Sequence, residues 1–198
     1  MSKRHWVARQ LDPYSIKDSG FPKKYLNILN TEWEGDIPNV DMEKNKGYFF
    51  TGGAGTGKTM FACICAKRIY TKDENKRWVN NISQIPEHTC KFVSVPEFLM
   101  EIQDTFNTEQ LADDVISYYA NASYLILDDL GAEKATEWAI QMLYVLIDRR
   151  ERMGNNKIII TSNYTLDEIA GKLSDRIASR ISGMCEIIKF RGKDHRAK

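Results

Sequence analysis

Cysteine is scarce in this 198-residue chain and poorly placed for a metal: Cys63, Cys65, Cys90 and Cys185 form no C-x-x-C pair and no zinc spacing. His88 lies near Cys90, but no second pair completes a site. Cys63 and Cys65 fall instead in an expected helix, where a small apolar side chain serves packing. Long hydrophobic runs are missing too. No segment approaches the length needed to cross a bilayer, so no membrane partner is expected. Met1–Gln10 is basic and polar with no apolar stretch behind it, so no secretory signal is expected and the compartment reads as cytoplasmic. Net charge is only +1, which gives no global field for nucleic acid. Basic residues are nevertheless absent between Lys91 and Lys134, where Glu97, Glu101, Asp104, Glu109, Asp113, Asp114, Asp128, Asp129 and Glu133 are all acidic. The stretch from Gly171 to Lys198 holds eight Lys or Arg against three acids, and Met1–Lys24 six against two, so a polyanion would meet the termini rather than the middle.

What is present has ordinary proportions, 42% hydrophobic and 28% charged, enough for one α/β domain with a substantial core. Three of the five prolines (Pro13, Pro22 and Pro38) fall in residues 1–46, which read as an arm or linker with a short helix around Lys23–Leu29, before a domain covering residues 47–198. The most informative segment follows. Gly52-Gly53-Ala54-Gly55-Thr56-Gly57-Lys58-Thr59 fits G-x-x-x-x-G-K-[ST], between the apolar run Tyr48-Phe49-Phe50 and a helical stretch opening at Met60. Glycines let backbone N–H groups reach phosphate oxygens, and the new helix points its positive dipole end at the anion. Lys58 would reach the β and γ phosphates, and Thr59 would place its hydroxyl on Mg²⁺.

Further along, a strand is expected at Lys91–Val95, stopped by Pro96. Two amphipathic helices fit Glu97–Phe106 and Glu109–Ala120, with Phe98, Leu99 and Ile102 on one apolar stripe and Leu111, Val115 and Tyr118 or Tyr119 on the other. Tyr124–Leu127 reads as a strand buried on both faces and ends in Asp128-Asp129. A long helix from about Lys134 to Met153 follows, with Trp138, Met142, Val145 and Leu146 at helical spacing. The strand Lys157–Thr161 delivers Ser162-Asn163, two short helices lie near Leu166–Gly171 and Asp175–Ile181, and a last strand covers Cys185–Phe190. The alternation predicts a mostly parallel sheet with its ligand at the strands' carboxyl ends.

Three further pieces fall in line. An apolar strand ending in two acids has the Walker B form, in which Asp128 holds Mg²⁺ and Asp129 polarises the attacking water. Asn163, after the next strand, can hydrogen-bond both γ-phosphate and water without adding negative charge. Arg176 and Arg180 are four apart on one helix face, and either could serve as an arginine finger reaching a neighbouring subunit's nucleotide. The alternative for that pair is a solvated basic face or a local pair with Asp175.

Together GGAGTGKT, YLILDDLGAEK, IIITSNYTLDEI and DRIASRI resemble the DnaC/DnaI/IstB group of AAA+ ATPases, over roughly Phe21–Arg196. The resemblance implies an AAA+ core of five parallel strands without the usual helical lid, ATP held between subunits of a homo-oligomer on single-stranded DNA, and a hexameric replicative helicase as the partner. By position it assigns Gly52 to Met60 to ATP, Lys58 and Thr59 to phosphate and metal, Asp128 to Walker B, Asn163 to sensor 1, and Arg176 or Arg180 to the finger in trans. The helices between Glu97 and Ala120 match a wedge that touches DNA in initiators and loaders. Asp129 stands where many AAA+ proteins have glutamate, the wedge carries no Lys or Arg, and Met1–Lys46 holds no cysteine for a zinc-bearing helicase-binding domain. An IstB-like transposition ATPase shares every one of these motifs. From other classes, a small-molecule kinase and a nucleotide-gated scaffold share the P-loop. Phe21 and Tyr25 are candidates for packing near adenine.

Overall fold

The computed structural model describes Phe21, residues 38, 40 and 41, and residues 44–71, 90–107, 109, 111–154 and 157–192. Tyr25, His88 and the short helix expected around Lys23–Leu29 lie outside the described residues. Five strands, β1 (Gly47–Thr51), β2 (Cys90–Ser94), β3 (Tyr124–Leu130), β4 (Ile158–Ser162) and β5 (Cys185–Lys189), form one wholly parallel sheet in the order β2-β3-β4-β1-β5. Six α-helices connect or flank them among the described residues, α1 (Lys58–Thr71), α2 (Val95–Asp104), α3 (Ala112–Ala120), α4 (Glu137–Arg152), α5 (Leu166–Lys172) and α6 (Asp175–Met184), with one 3-10 turn at Thr105–Asn107.

Both faces of the sheet are covered, which explains why its strands are continuous apolar runs rather than alternating ones. Successive residues still point to opposite faces. Phe49, Leu125, Leu127, Ile158 and Ile160 pack with α2 to α6 on one side. Tyr48, Phe50, Phe92, Ile126 and Ile159 pack with Phe61 and Cys65 of α1 and with Phe21 on the other. All four cysteines are buried thiols. Burial pushes those of Cys90 and Cys185 up to about 12.

The expected elements form with revised edges. Pro96 does not merely stop β2; it sits in the first turn of α2, where its missing N–H leaves no gap in the ladder. Ser94 caps that helix, its hydroxyl accepting from the Glu97 N–H while the Glu97 carboxylate accepts from the Ser94 N–H. On α3 the inward stripe is Val115, Ile116 and Tyr119; Leu111 and Tyr118 are 64% and 50% exposed, so neither belongs to it. The choice of Tyr119 over Tyr118 comes from its partners: its ring meets the Phe98 ring edge-on and its hydroxyl donates to the Glu101 carboxylate at 2.8 Å. α4 begins only after the Thr136 cap and buries Ala139, Leu143, Leu146 and Ile147, leaving Trp138, Met142 and Val145 half-buried.

One charged group lies deep in this core. Arg150 is fully buried and donates to the carbonyls of Tyr119, Ala120, Ala122 and Lys157, capping the end of α3 and joining it to the approach to β4. Desolvation lowers its guanidinium to about 10, still charged at neutral pH.

Candidate functional site

The P-loop joins β1 to α1. Gly52 has φ +150°, and a Cβ there would stand 2.2 Å from the Phe190 carbonyl oxygen. Phe190 is itself held by its N–H on the Thr51 carbonyl at 2.7 Å and by its ring against Phe50 and Phe61. The first glycine of the motif is therefore required by the packing of the chain that leaves β5. Gly55 and Gly57 have φ of 72° and 89°, which bring the loop around to the helix start. The Thr56 hydroxyl donates to the Gly53 carbonyl at 2.8 Å and closes the turn. Gly53 and Ala54 face outward, Thr59 is buried, and Met60 is half-buried on the first turn of α1.

Lys58 draws the loop toward the sheet. Only 5% exposed, its ammonium donates to the carbonyls of Gly52 and Gly53, both at 2.7 Å, and to Asn163 Oδ1 at 2.8 Å. A lysine and an amide 105 positions apart thus meet at the carboxyl ends of adjacent strands, since β1 pairs directly with β4. A cation held this way at a helix N-terminus is suited to an anion.

The two acids lie inside β3 rather than beyond it. Between Leu127, opposite Ile160, and Leu130, opposite Ser162, the register shifts by one residue, a bulge that accommodates the pair. Asp129 has φ 59°, a left-handed conformation unusual for a non-glycine residue. Thr161 links the acids: its hydroxyl donates to Asp128 Oδ1 at 2.7 Å and accepts the Asp129 N–H at 3.0 Å. Asp128 and Thr161 are buried and Asp129 is half-buried. Sequence reasoning passed over Thr161, although it stands two residues before Asn163. Ser162, whose hydroxyl donates to the Leu130 carbonyl, and Thr51, whose hydroxyl donates to the Tyr164 carbonyl, are further ties of the same kind.

The arginines of α6 part company. Arg176 is exposed. Arg180 folds back onto α4, paired with Asp148 and Glu151, donating to the Tyr144 hydroxyl at 2.9 Å and lying over the Tyr144 ring. Its partners are thus not Asp175 but a helix that precedes it by about 30 residues. On α2 and α3 the acidic outer surface stands, met by Arg149 of α4, which pairs with Asp113 at 2.6 Å, and by Lys91, whose ammonium lies 4.5 Å from the Tyr118 ring centre. Phe21 packs on the Phe92 ring within the core.

No group of three or more His, Cys, Asp or Glu side chains able to hold a metal occurs among the described residues. A hydroxyl such as that of Thr59 with a carboxylate such as that of Asp128 suits a hard cation that keeps waters and takes its other ligands from substrate phosphates. Among the described residues no helix is long and apolar enough to cross a membrane.

Comparison with known proteins gives consistent results. The chain is 25% identical over 126 residues to the replicative helicase loader DnaI of Bacillus subtilis (strain 168), a match covering 64% of this chain and 36% of that one. Among solved structures it resembles the DnaC helicase loader, with a TM-score of 0.66 and 23% identity over 86% of this chain and all of that one. DnaI matches at TM-score 0.62 and 19% identity, over 88% of this chain and 93% of that one. Nucleotide-bound DnaA from Aquifex aeolicus matches at 0.55 and 19%, over 73% of this chain and 40% of that one. The model of the IstB-like ATP binding protein family matches residues 37–198, so this chain, with its P-loop, paired acids and Asn163 on a five-stranded parallel sheet, belongs to that family.

Proposed function

We propose that the protein is an ATP-dependent helicase loader that binds ATP between subunits of an oligomer on single-stranded DNA and hydrolyses it to ADP and phosphate. The observation that carries this reading is the Lys58–Asn163 hydrogen bond, which brings the P-loop and the end of β4 together beside Asp128 and Asp129. On this reading residues 47–198 are the ATPase domain and residues 1–46 an arm.

Backbone N–H groups from Gly52 to Met60 would receive the phosphates, with Lys58 exchanging its carbonyl partners for β and γ oxygens. Thr59 and Asp128 would hold Mg²⁺, which when bound neutralises charge between the β and γ phosphates. Asp129 accepts hydrogen bonds from the attacking water and takes its proton as the water oxygen bonds to the γ-phosphorus and the β–γ bridging bond breaks. Asn163 orients that water and donates to a γ oxygen. Negative charge grows on the leaving side, and an arginine of α6 from the neighbouring subunit offsets it. Arg176 is exposed and has no ion pair or hydrogen bond from its side chain among the described residues, whereas Arg180 must first leave Asp148 and Glu151.

The DNA and helicase roles rest on the named relatives. Motif content fits a transposition helper equally well, and the family's own description favours keeping that reading as the second one.

The test combines turnover with partner capture. Wild type should hydrolyse ATP, Lys58→Ala should lose binding and turnover, and the cognate hexameric helicase should be retained on the immobilised protein. Mixing Lys58→Ala with Arg176→Ala or Arg180→Ala subunits should restore turnover for the variant that lacks the trans finger. Wild-type turnover by Lys58→Ala would refute the site, and no helicase capture with or without ATP would refute loading.

A further inference from the structure

The connection from β3 to α4 contains a carboxylate that the site description does not use. Glu133 is 8% exposed, its Oε2 accepts the Gly131 N–H at 2.9 Å, and Oε1 has no hydrogen-bond partner among the described residues. Burial pushes its pKa up from the ordinary carboxylate value, against the pull of the Glu133 and Gly131 N–H groups and of Lys172.

The neighbouring backbone explains why a hydrogen bond is needed here. Asp129 is held left-handed, a strained conformation for a non-glycine residue. Three contacts oppose relaxation: Thr161 accepts its N–H, the Asp129 carbonyl accepts the Ala132 N–H at 3.1 Å, and Glu133 accepts the Gly131 N–H between them. Gly131 is itself left-handed at φ +90°, and a Cβ would stand 2.8 Å from the Tyr164 ring, so the turn is pressed against the residue that follows Asn163. A shift at Gly131 would therefore be felt at both Asp129 and the Asn163–Tyr164 segment.

We propose that Glu133 is a positioning residue for ATP hydrolysis, fixing the turn through Gly131 so that the Asp129 carboxylate faces the attacking water. The proposal rests on the ATPase reading above. Since only Oε2 makes the contact, an amide oxygen can replace it: Glu133→Gln should preserve function and Glu133→Ala should not.

The experiment measures kcat and KM for ATP together with NMR-detected exchange of the Gly131 amide in nucleotide-free protein. For Glu133→Ala, kcat should fall on the order of ten- to a hundredfold, the scale of misplacing a catalytic group, with KM within about threefold. Its Gly131 amide should exchange on the order of tenfold faster or more, while Glu133→Gln keeps both kcat and exchange within about threefold of wild type. Wild-type kcat in Glu133→Ala would overturn the proposal. An equal loss in both variants would overturn it too, because the charge would then act directly. Should Glu133→Ala fail to fold, Glu133→Gln decides alone: about a tenfold fall in its kcat refutes positioning. Absence of turnover in wild type would defeat the ATPase reading instead, and the amide exchange would still report whether Glu133 holds the turn.

Discussion

Replacing Thr161 by valine isolates the contact that joins the two acids. Valine matches threonine in volume and in β-branching, so it leaves no cavity in a strand position that is 0% exposed. What changes is polar. The hydroxyl's bond to the Asp128 carboxylate is worth about 1.5–3 kcal/mol as a hydrogen bond to a charged group. The Asp129 N–H loses its acceptor, which costs about 1–3 kcal/mol to the extent that this half-buried group stays out of water. Together the expected destabilisation is about 3–5 kcal/mol, a large share of a domain's total of about 5–15. At a slope of about 2 kcal/mol per molar urea, the unfolding midpoint should fall by about 1.5–2.5 M. Thr161→Ser keeps the hydroxyl and should lose far less. ATP turnover of Thr161→Val should also fall while Thr161→Ser retains it, since Asp129 is released from its left-handed setting. A valine variant as stable as wild type, with undiminished turnover, would refute the bridge as a structural and functional element.

Gly52→Ala should destabilise the fold by at least about 3 kcal/mol in urea titration, because its Cβ would collide with a backbone carbonyl rather than with a side chain that can turn away. Arg150→Met should cost about 2–4 kcal/mol by the same measurement, the loss of a donor to four carbonyls outweighing relief from desolvation, and Arg150→Lys should recover only part, since a point charge cannot span them. Cys90 and Cys185, pushed up to about 12 by burial, remain protonated at pH 8, so iodoacetamide should label them in native protein far more slowly than in urea, as read by mass spectrometry; equal labelling would contradict their burial.

Local chemistry made much of the site legible. A P-loop declares itself because the glycines, the lysine and the hydroxyl all act within one turn of chain, and strand runs such as Ile158–Ile160 are readable because burial on both faces removes polar residues. Periodicity was less reliable on the helices. It places Leu111, Val115 and either Tyr118 or Tyr119 on the stripe of α3, yet the fold buries Val115 and Tyr119 and leaves Leu111 and Tyr118 exposed, because apolar spacing reports a face and not the neighbour that covers it. Pro96 reads as a terminator of β2, while the Ser94 cap makes it the opening of α2.

From the sequence alone came the order of elements, the P-loop, the pair Asp128-Asp129, the amide Asn163 and two arginines at helical spacing, since each is a pattern over a few adjacent residues. Only the tertiary structure decided that Lys58 meets Asn163, that Thr161 bridges the acids, that Phe190 forces glycine at position 52, and that Arg180 is engaged by α4 while Arg176 is not. These contacts join residues from about 30 to nearly 140 positions apart. They exist because parallel strand pairing sets β3, β4, β1 and β5 side by side and the chain packs α6 against α4, an arrangement that no local pattern of residue types encodes.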